Sequence, residues 1–133
     1  MSCPACDAPV VAFATPAALR EHAPAAESAI CSVCLRTVAA SEAGMADAPA
    51  PENADFSAIH ESFPTGEGGV AFALALGKLD SLALERAAIE ELCEAAERAG
   101  VDVRLALERL AEVDELDPPF DIGRRSQQLA SFR

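Results

Sequence analysis

Hydrophobic residues follow two different periods along this chain, and the change between them predicts its architecture. Near the N-terminus, residues 10–14 and 35–38 are short runs rich in β-forming side chains, which predict strands. Between these runs, Thr15 and Pro16 predict the N-cap and the first position of a short helix, which Pro24 ends. We therefore expect short antiparallel strands plus a short helix in this part of the chain.

Residues 67–116 carry the pattern of helices. The run 70–76 alternates with period two, which is formally a strand pattern, but every intervening residue is alanine, the strongest helix former. We therefore predict a helix there. A second helix follows Asp80 or Ser81 as its N-cap and ends at Gly100. Its apolar stripe comprises Leu82, Ile89, Leu92, Ala96 and Ala99.

A third helix is predicted after Asp102, because aspartate is a favourable N-cap residue. Its inner face comprises Val103, Leu107, Leu110 and Val113. The connections between these helices are short, so consecutive helices are expected to pack as antiparallel neighbours. Pro118 and Pro119 end the helical pattern, and the tail beyond them either frays or docks.

Residues 39–56 separate the two patterns. They contain acidic residues but no base, few large apolar side chains, and two closely spaced prolines. Such a stretch buries too little surface to offset the entropy lost on ordering, so it predicts an acidic Ala/Pro-rich linker.

Four cysteines carry the most specific chemical signal. Cys3 and Cys6 form one Cys-x-x-Cys pair, and Cys31 and Cys34 form a second. A two-residue gap lets both thiolates of a pair turn onto one cation, and two such pairs complete a tetrahedral shell that suits Zn²⁺. Because four thiolates close the shell, we expect a structural zinc whose binding is coupled to folding.

Three other uses of paired cysteines fit this sequence less well. A rubredoxin-like iron site has similar spacing, but rubredoxins typically place Gly after each pair, where this chain has Asp7 and Leu35. A thioredoxin-like dithiol needs a βαβ pattern around one pair, which is not seen. Two disulfides require an oxidising compartment. Zinc is therefore the favoured metal, with iron as its alternative.

Composition limits the size of the core and the class of partner. The chain of 133 residues has no Trp or Tyr, and its net charge is −12. Its ten basic residues are nine arginines and the single Lys78. High acidity with little lysine resembles the composition of proteins from halophilic archaea. These organisms keep molar salt in the cytosol, which shortens the Debye length to about 3 Å. Acidity also argues against nucleic-acid binding, which needs basic contacts, although this argument is weaker in a halophile, where the whole proteome is acidic.

Two features bear on location. Residues 1–4 lead into the first cysteine pair without the pattern of a signal peptide. The longest apolar run, 70–76, is far shorter than the roughly 20 residues that cross a bilayer. We expect a cytoplasmic protein with no membrane segment.

The remaining reactive residues predict no catalytic site. Cys93 lies beside the stripe of the second helix and is expected to be a small buried hydrophobe. His22 and His60 have no partner at a catalytic spacing and are expected at the surface. Arg124 and Arg125 form the only adjacent basic pair, which is weak evidence for an RNA or acidic partner. We expect no enzymatic activity.

The cysteine pattern resembles the zinc-ribbon class. More narrowly, it is similar to short uncharacterised haloarchaeal proteins that begin with Met-Ser-Cys-Pro-x-Cys and carry a second Cys-x-x-Cys near residue 30. The matching residues are Cys3, Cys6, Cys31 and Cys34. The resemblance implies zinc and a ribbon fold, and it brings no known activity.

Together these observations predict a small α+β protein with an N-terminal zinc ribbon, an acidic linker and a C-terminal unit of two or three helices. The predicted segments are a zinc-ribbon module at 1–38, the linker at 39–56, a helical segment at 57–116 and a tail at 117–133. The favoured function is a protein-interaction or adaptor module whose process and protein partner are unknown. A homodimer formed through the helical segment is a second option. The alternative is a nucleic-acid-associated zinc ribbon in transcription or translation. The surfaces expected to matter are the ribbon around Phe13 and Arg36 and the helical face between Leu82 and Val113.

Overall fold

Three antiparallel strands form the N-terminal part of the protein. A computed structural model describes residues 2–131 and 133. The strands are β1 (Val10–Ala14), β2 (Glu27–Cys31) and β3 (Thr37–Ala39), and β2 lies between the other two. This sheet, followed by a series of helices, confirms the predicted α+β class.

A short 3₁₀ helix, Ala17–His22, connects β1 to β2. It confirms the predicted short helix, although its N-cap is Pro16 and not Thr15. Thr15 is buried, and its hydroxyl lies 3.3 Å from the carbonyl oxygen of Ala25 and 3.4 Å from the hydroxyl of Ser28. Thr15 therefore closes the β1–β2 connection instead of capping the helix.

Helix α1 (Gly66–Leu76) confirms the prediction of a helix over the alternating Ala-rich run. Its residues from Gly68 to Leu76 are all buried. A helix that is apolar on every side is stable only when neighbours cover it all round. The period-two pattern arose because alanines fill the positions between the larger side chains.

Two further helices follow, α2 (Leu82–Arg98) and α3 (Val103–Ala111). Ser81 occupies the N-cap position of α2, and Gly100 has the positive φ of 94° that favours glycine after a helix. Asp102 caps α3 by accepting a hydrogen bond of 3.0 Å from the backbone N–H of Leu105. The signals at Gly100 and Asp102 are confirmed, whereas Ser81 makes no capping hydrogen bond with its side chain.

The apolar faces of α2 and α3 differ from the prediction at their ends. Leu82, Ile89, Leu92 and Ala96 are buried, but Ala99 is exposed because it follows the last helical residue. Val113 likewise lies beyond the end of α3 and is half-buried.

The tail docks. It forms a fourth helix, α4 (Ile122–Ser131), which packs against α3 and buries Ile122 and Leu129. Among the described residues, no helix combines the length and the apolar character that crossing a membrane requires.

Residues between the sheet and α1 contribute to the same hydrophobic core as both. Phe56 is fully buried, its ring centroid lying 5.7 Å from that of Phe13 in β1 and 5.2 Å from that of Phe63. Phe63 in turn meets Phe72 of α1 edge-on at 5.3 Å. Four phenylalanines therefore connect the sheet to the helices, while the division of the chain into four segments stays a prediction.

Where α1 ends, the helix comes very close to the sheet. A Cβ atom added to Gly77 would lie 2.1 Å from the Oγ1 atom and 2.7 Å from the Cγ2 atom of Thr37. We expect Gly77→Ala to lower the free energy of unfolding by about 1–3 kcal/mol, because overpacking forces the strand and the helix apart. Urea denaturation followed by circular dichroism measures this loss.

A matched control separates this contact from the effect of alanine itself. A Cβ atom at Gly123, in α4, would meet its nearest neighbour, Asp121, at an ordinary 3.5 Å. Gly123→Ala should therefore raise stability by up to about 1 kcal/mol, as helix propensity predicts. Adding Thr37→Ala to Gly77→Ala should recover part of the loss. Equal stability of Gly77→Ala and the wild type would show that the close approach is wrong.

Candidate metal centre

The two cysteine pairs lie at the same end of the sheet, one in the loop before β1 and the other where β2 ends. An isolated antiparallel bridge between Ser2 and Pro9 closes the loop that carries Cys3 and Cys6. Cys31 is the last residue of β2, and Cys34 lies in the turn before β3. Pairing of β1 with β2 places Val10 opposite Cys31, which brings the two loops together.

The four sulfur atoms form a compact group. All of them lie within 4.8 Å of one another. The Sγ atoms of Cys3 and Cys34 are 3.7 Å apart, and those of Cys6 and Cys31 are 3.4 Å apart. A tetrahedron with Zn–S bonds of about 2.3 Å has edges of about 3.8 Å, whereas a disulfide requires about 2.05 Å. The arrangement can hold a metal ion and contains no disulfide.

Backbone N–H groups point at the sulfur atoms in both loops. Ala5 donates to Cys3 Sγ over 3.4 Å, and Val33 donates to Cys31 Sγ over the same distance. Each donor lies two residues after its cysteine, so the two loops repeat one local conformation. Hydrogen bonds of this kind favour the thiolate form, which is the form that binds metal.

The thiols differ in their tendency to ionise. Burial raises the pKa of Cys31 to about 12 and also raises that of Cys34. Burial acts in the same direction at Cys3, but backbone hydrogen bonds from Cys6 and Ala5 outweigh it and lower the pKa of Cys3 to about 7. A bound cation would supply the charge that lets neighbouring thiols ionise together, so metal binding would release protons.

The residue after each pair adopts a left-handed backbone conformation. Asp7 has a φ of 66° and Leu35 a φ of 62°. These are the positions where rubredoxins typically carry glycine, and a side chain there costs roughly 1–2 kcal/mol. Leu35 is fully buried in the hydrophobic core, so burial of its side chain offsets the strain.

Arg36 lies beside the centre. The Cys34 side chain, through a hydrogen bond and its charge, raises the pKa of this exposed guanidinium. Arg36 therefore places a positive charge next to the cysteine cluster. Phe13, which was expected with Arg36 on the ribbon surface, is instead fully buried against Phe56. That expectation was wrong because Phe13 points to the side of the sheet that the later part of the chain covers.

The other reactive residues lie away from the four cysteines. Cys93 is buried in α2, as predicted, and burial raises its pKa to about 11. His60 is half-buried and lies 2.7 Å from the hydroxyl of Ser62. His22 is also half-buried, and its Nε2 atom lies 2.5 Å from a carboxylate oxygen of Glu91. Both histidines therefore remain partly exposed, and the spacing of 69 residues gave no signal for the His22 contact.

The fold and the cysteine cluster define a small α+β protein with a possible four-cysteine metal site. The chain belongs to DUF6276, a family of unknown function, whose model matches residues 2–133. No curated protein and no solved structure gives a significant match to the chain.

Proposed function

We propose that Cys3, Cys6, Cys31 and Cys34 bind one structural Zn²⁺ and that the protein acts as a small protein-interaction module. The observation that carries this proposal is the set of sulfur–sulfur distances, 3.4 and 3.7 Å, within two loops of matching backbone conformation. Zinc with four thiolates has no open position for water or substrate. In this proposal the metal holds the two cysteine loops in place and takes no part in a reaction.

The docking surface we propose is the outer face of α2. Ala83, Leu84 and Ala87 are all exposed there, and Leu84 has 89% of its surface accessible. An isolated exposed leucine is ordinary. Here Ala87 follows Leu84 by three residues and Ala83 by four, and these spacings place side chains on one face of a helix. The apolar side chains form a stripe that a second helix can cover.

We propose a second copy of this chain as the partner, with the two α2 helices packed against each other. Sedimentation velocity in molar salt tests this pairing at several protein concentrations. The wild type should shift from monomer to dimer as its concentration rises, and Leu84→Asp should stay monomeric because the dimer would bury an unpaired charge.

A matched variant tests whether the charge acts through this face. Leu105→Asp places the same charge at an exposed leucine of α3 and should leave the dimer intact. A wild type that is monomeric at every concentration would contradict pairing, and so would a dimer that Leu84→Asp leaves unchanged.

The cellular setting we propose is a reducing cytoplasm with high salt. The net charge of −12 and the excess of arginine over lysine support the salt, because screening removes the self-repulsion of so acidic a chain. The five free cysteines support the reducing compartment. A haloarchaeal origin would account for both features.

A further inference from the structure

A second group of side chains that could hold a metal ion lies where the 3₁₀ helix Ala17–His22 contacts α2. It consists of Glu21, His22 and Glu91, whose ligand atoms lie within 4.8 Å of one another. The Nε2 atom of His22 is 2.5 Å from a carboxylate oxygen of Glu91 and 3.7 Å from one of Glu21. Both carboxylates therefore converge on the same ring nitrogen.

Different elements supply these three ligands. Glu21 and His22 end the 3₁₀ helix Ala17–His22, and Glu91 lies in the middle of α2. The side chain of His22 is only 14% exposed, whereas those of Glu21 and Glu91 are 74% and 62% exposed. Packing thus fixes the imidazole, while the two carboxylates can adjust around an ion.

Two members of the cluster, His22 and Glu91, line an open cavity of about 450 Å³. Glu67 and Glu94 also line it, and Arg98 is the basic residue in its wall. With Glu91 included, three carboxylates face one guanidinium across this space. The surplus of negative charge raises the local concentration of cations.

We propose that Glu21, His22 and Glu91 form a second divalent-cation site, which takes Zn²⁺ or a similar borderline ion. One imidazole and two carboxylates are ligands that zinc accepts, and three protein ligands leave its fourth position open to water or to a small molecule in the cavity. A simple ion pair needs only Glu91 beside His22, whereas the convergence of Glu21 and the acidic cavity wall match a cation. This site is exchangeable, in contrast to the closed site of four cysteines.

Calorimetric titration of Zn²⁺ into full-length protein that already holds one zinc at the cysteines tests this site. The wild type should bind a second equivalent, and both His22→Ala and Glu91→Gln should lose that step. Retention of the first zinc reports that each variant is folded. Because Glu91 is exposed, Glu91→Gln gives a result that does not depend on the packing of the histidine.

Two controls address unspecific binding to this acidic chain. His60→Ala removes the other histidine, and Glu108→Gln removes an exposed carboxylate that pairs with Arg104. Both should retain the second step. Absence of a second step in the wild type, or its persistence in both His22→Ala and Glu91→Gln, would overturn the proposal and leave an ion pair only.

Discussion

Replacing Cys31 and Cys34 together by serine is expected to abolish tight metal binding and to unfold the N-terminal sheet. Neutral hydroxyl groups cannot replace two thiolates, and a structural zinc contributes about 10–16 kcal/mol of apparent binding free energy. A domain of this size is stable by only about 5–15 kcal/mol. The loss should therefore appear as a metal content near zero and a large fall in melting temperature, measured by elemental analysis and circular dichroism.

Cys93→Ala is the matched control for the serine variant. It removes the one cysteine that lies in α2, so metal content should equal that of the wild type. Treatment of the wild type with a strong chelator should reproduce the unfolding of the serine variant. If Cys31→Ser, Cys34→Ser melts at the wild-type temperature, the metal centre does not stabilise the fold.

Truncation of a phenylalanine between the sheet and the helices should have the second-largest effect. Phe56 is fully buried and packs against both Phe13 and Phe63. Phe56→Ala should lower the free energy of unfolding by about 3–5 kcal/mol, because it removes a large buried ring and leaves a cavity. Urea denaturation of the metal-loaded protein measures this change.

The exposed leucine of α2 provides the comparison for Phe56→Ala. Leu84→Ala, measured at concentrations that favour the monomer, should change stability by no more than about 0.5 kcal/mol. A loss below about 1 kcal/mol for Phe56→Ala would mean that the sheet and the helices are stable separately. That result would favour the division of the chain at a flexible linker.

Local signals in the sequence predicted the elements and the composition of the candidate centre. The spacing within each cysteine pair fixes a loop conformation over a few residues, so Cys3, Cys6, Cys31 and Cys34 could be grouped before their distances were known. Asp102 and Gly100 likewise act on the turn that contains them, and both function as predicted.

Contacts between distant residues could not be predicted in this way. Alternation along β1 shows that Phe13 faces one side of the sheet, but not that Phe56 covers that side. The composition of residues 39–56 predicted a linker, yet Ala40 and Ala43 are buried there because small side chains fit against the sheet. The contact between His22 and Glu91 depends on how α2 packs against the 3₁₀ helix. No local pattern in the sequence indicates that packing.

X-ray absorption at the zinc edge of the purified protein shows whether four thiolates bind one zinc ion. We expect one zinc per chain with four sulfur scatterers at about 2.3 Å and no nitrogen or oxygen ligand. The spectrum should be recorded with a single equivalent of zinc bound, so that the cysteines alone contribute. A coordination shell containing nitrogen or oxygen, or fewer than four sulfur atoms, would show that the four cysteines do not form a closed zinc site.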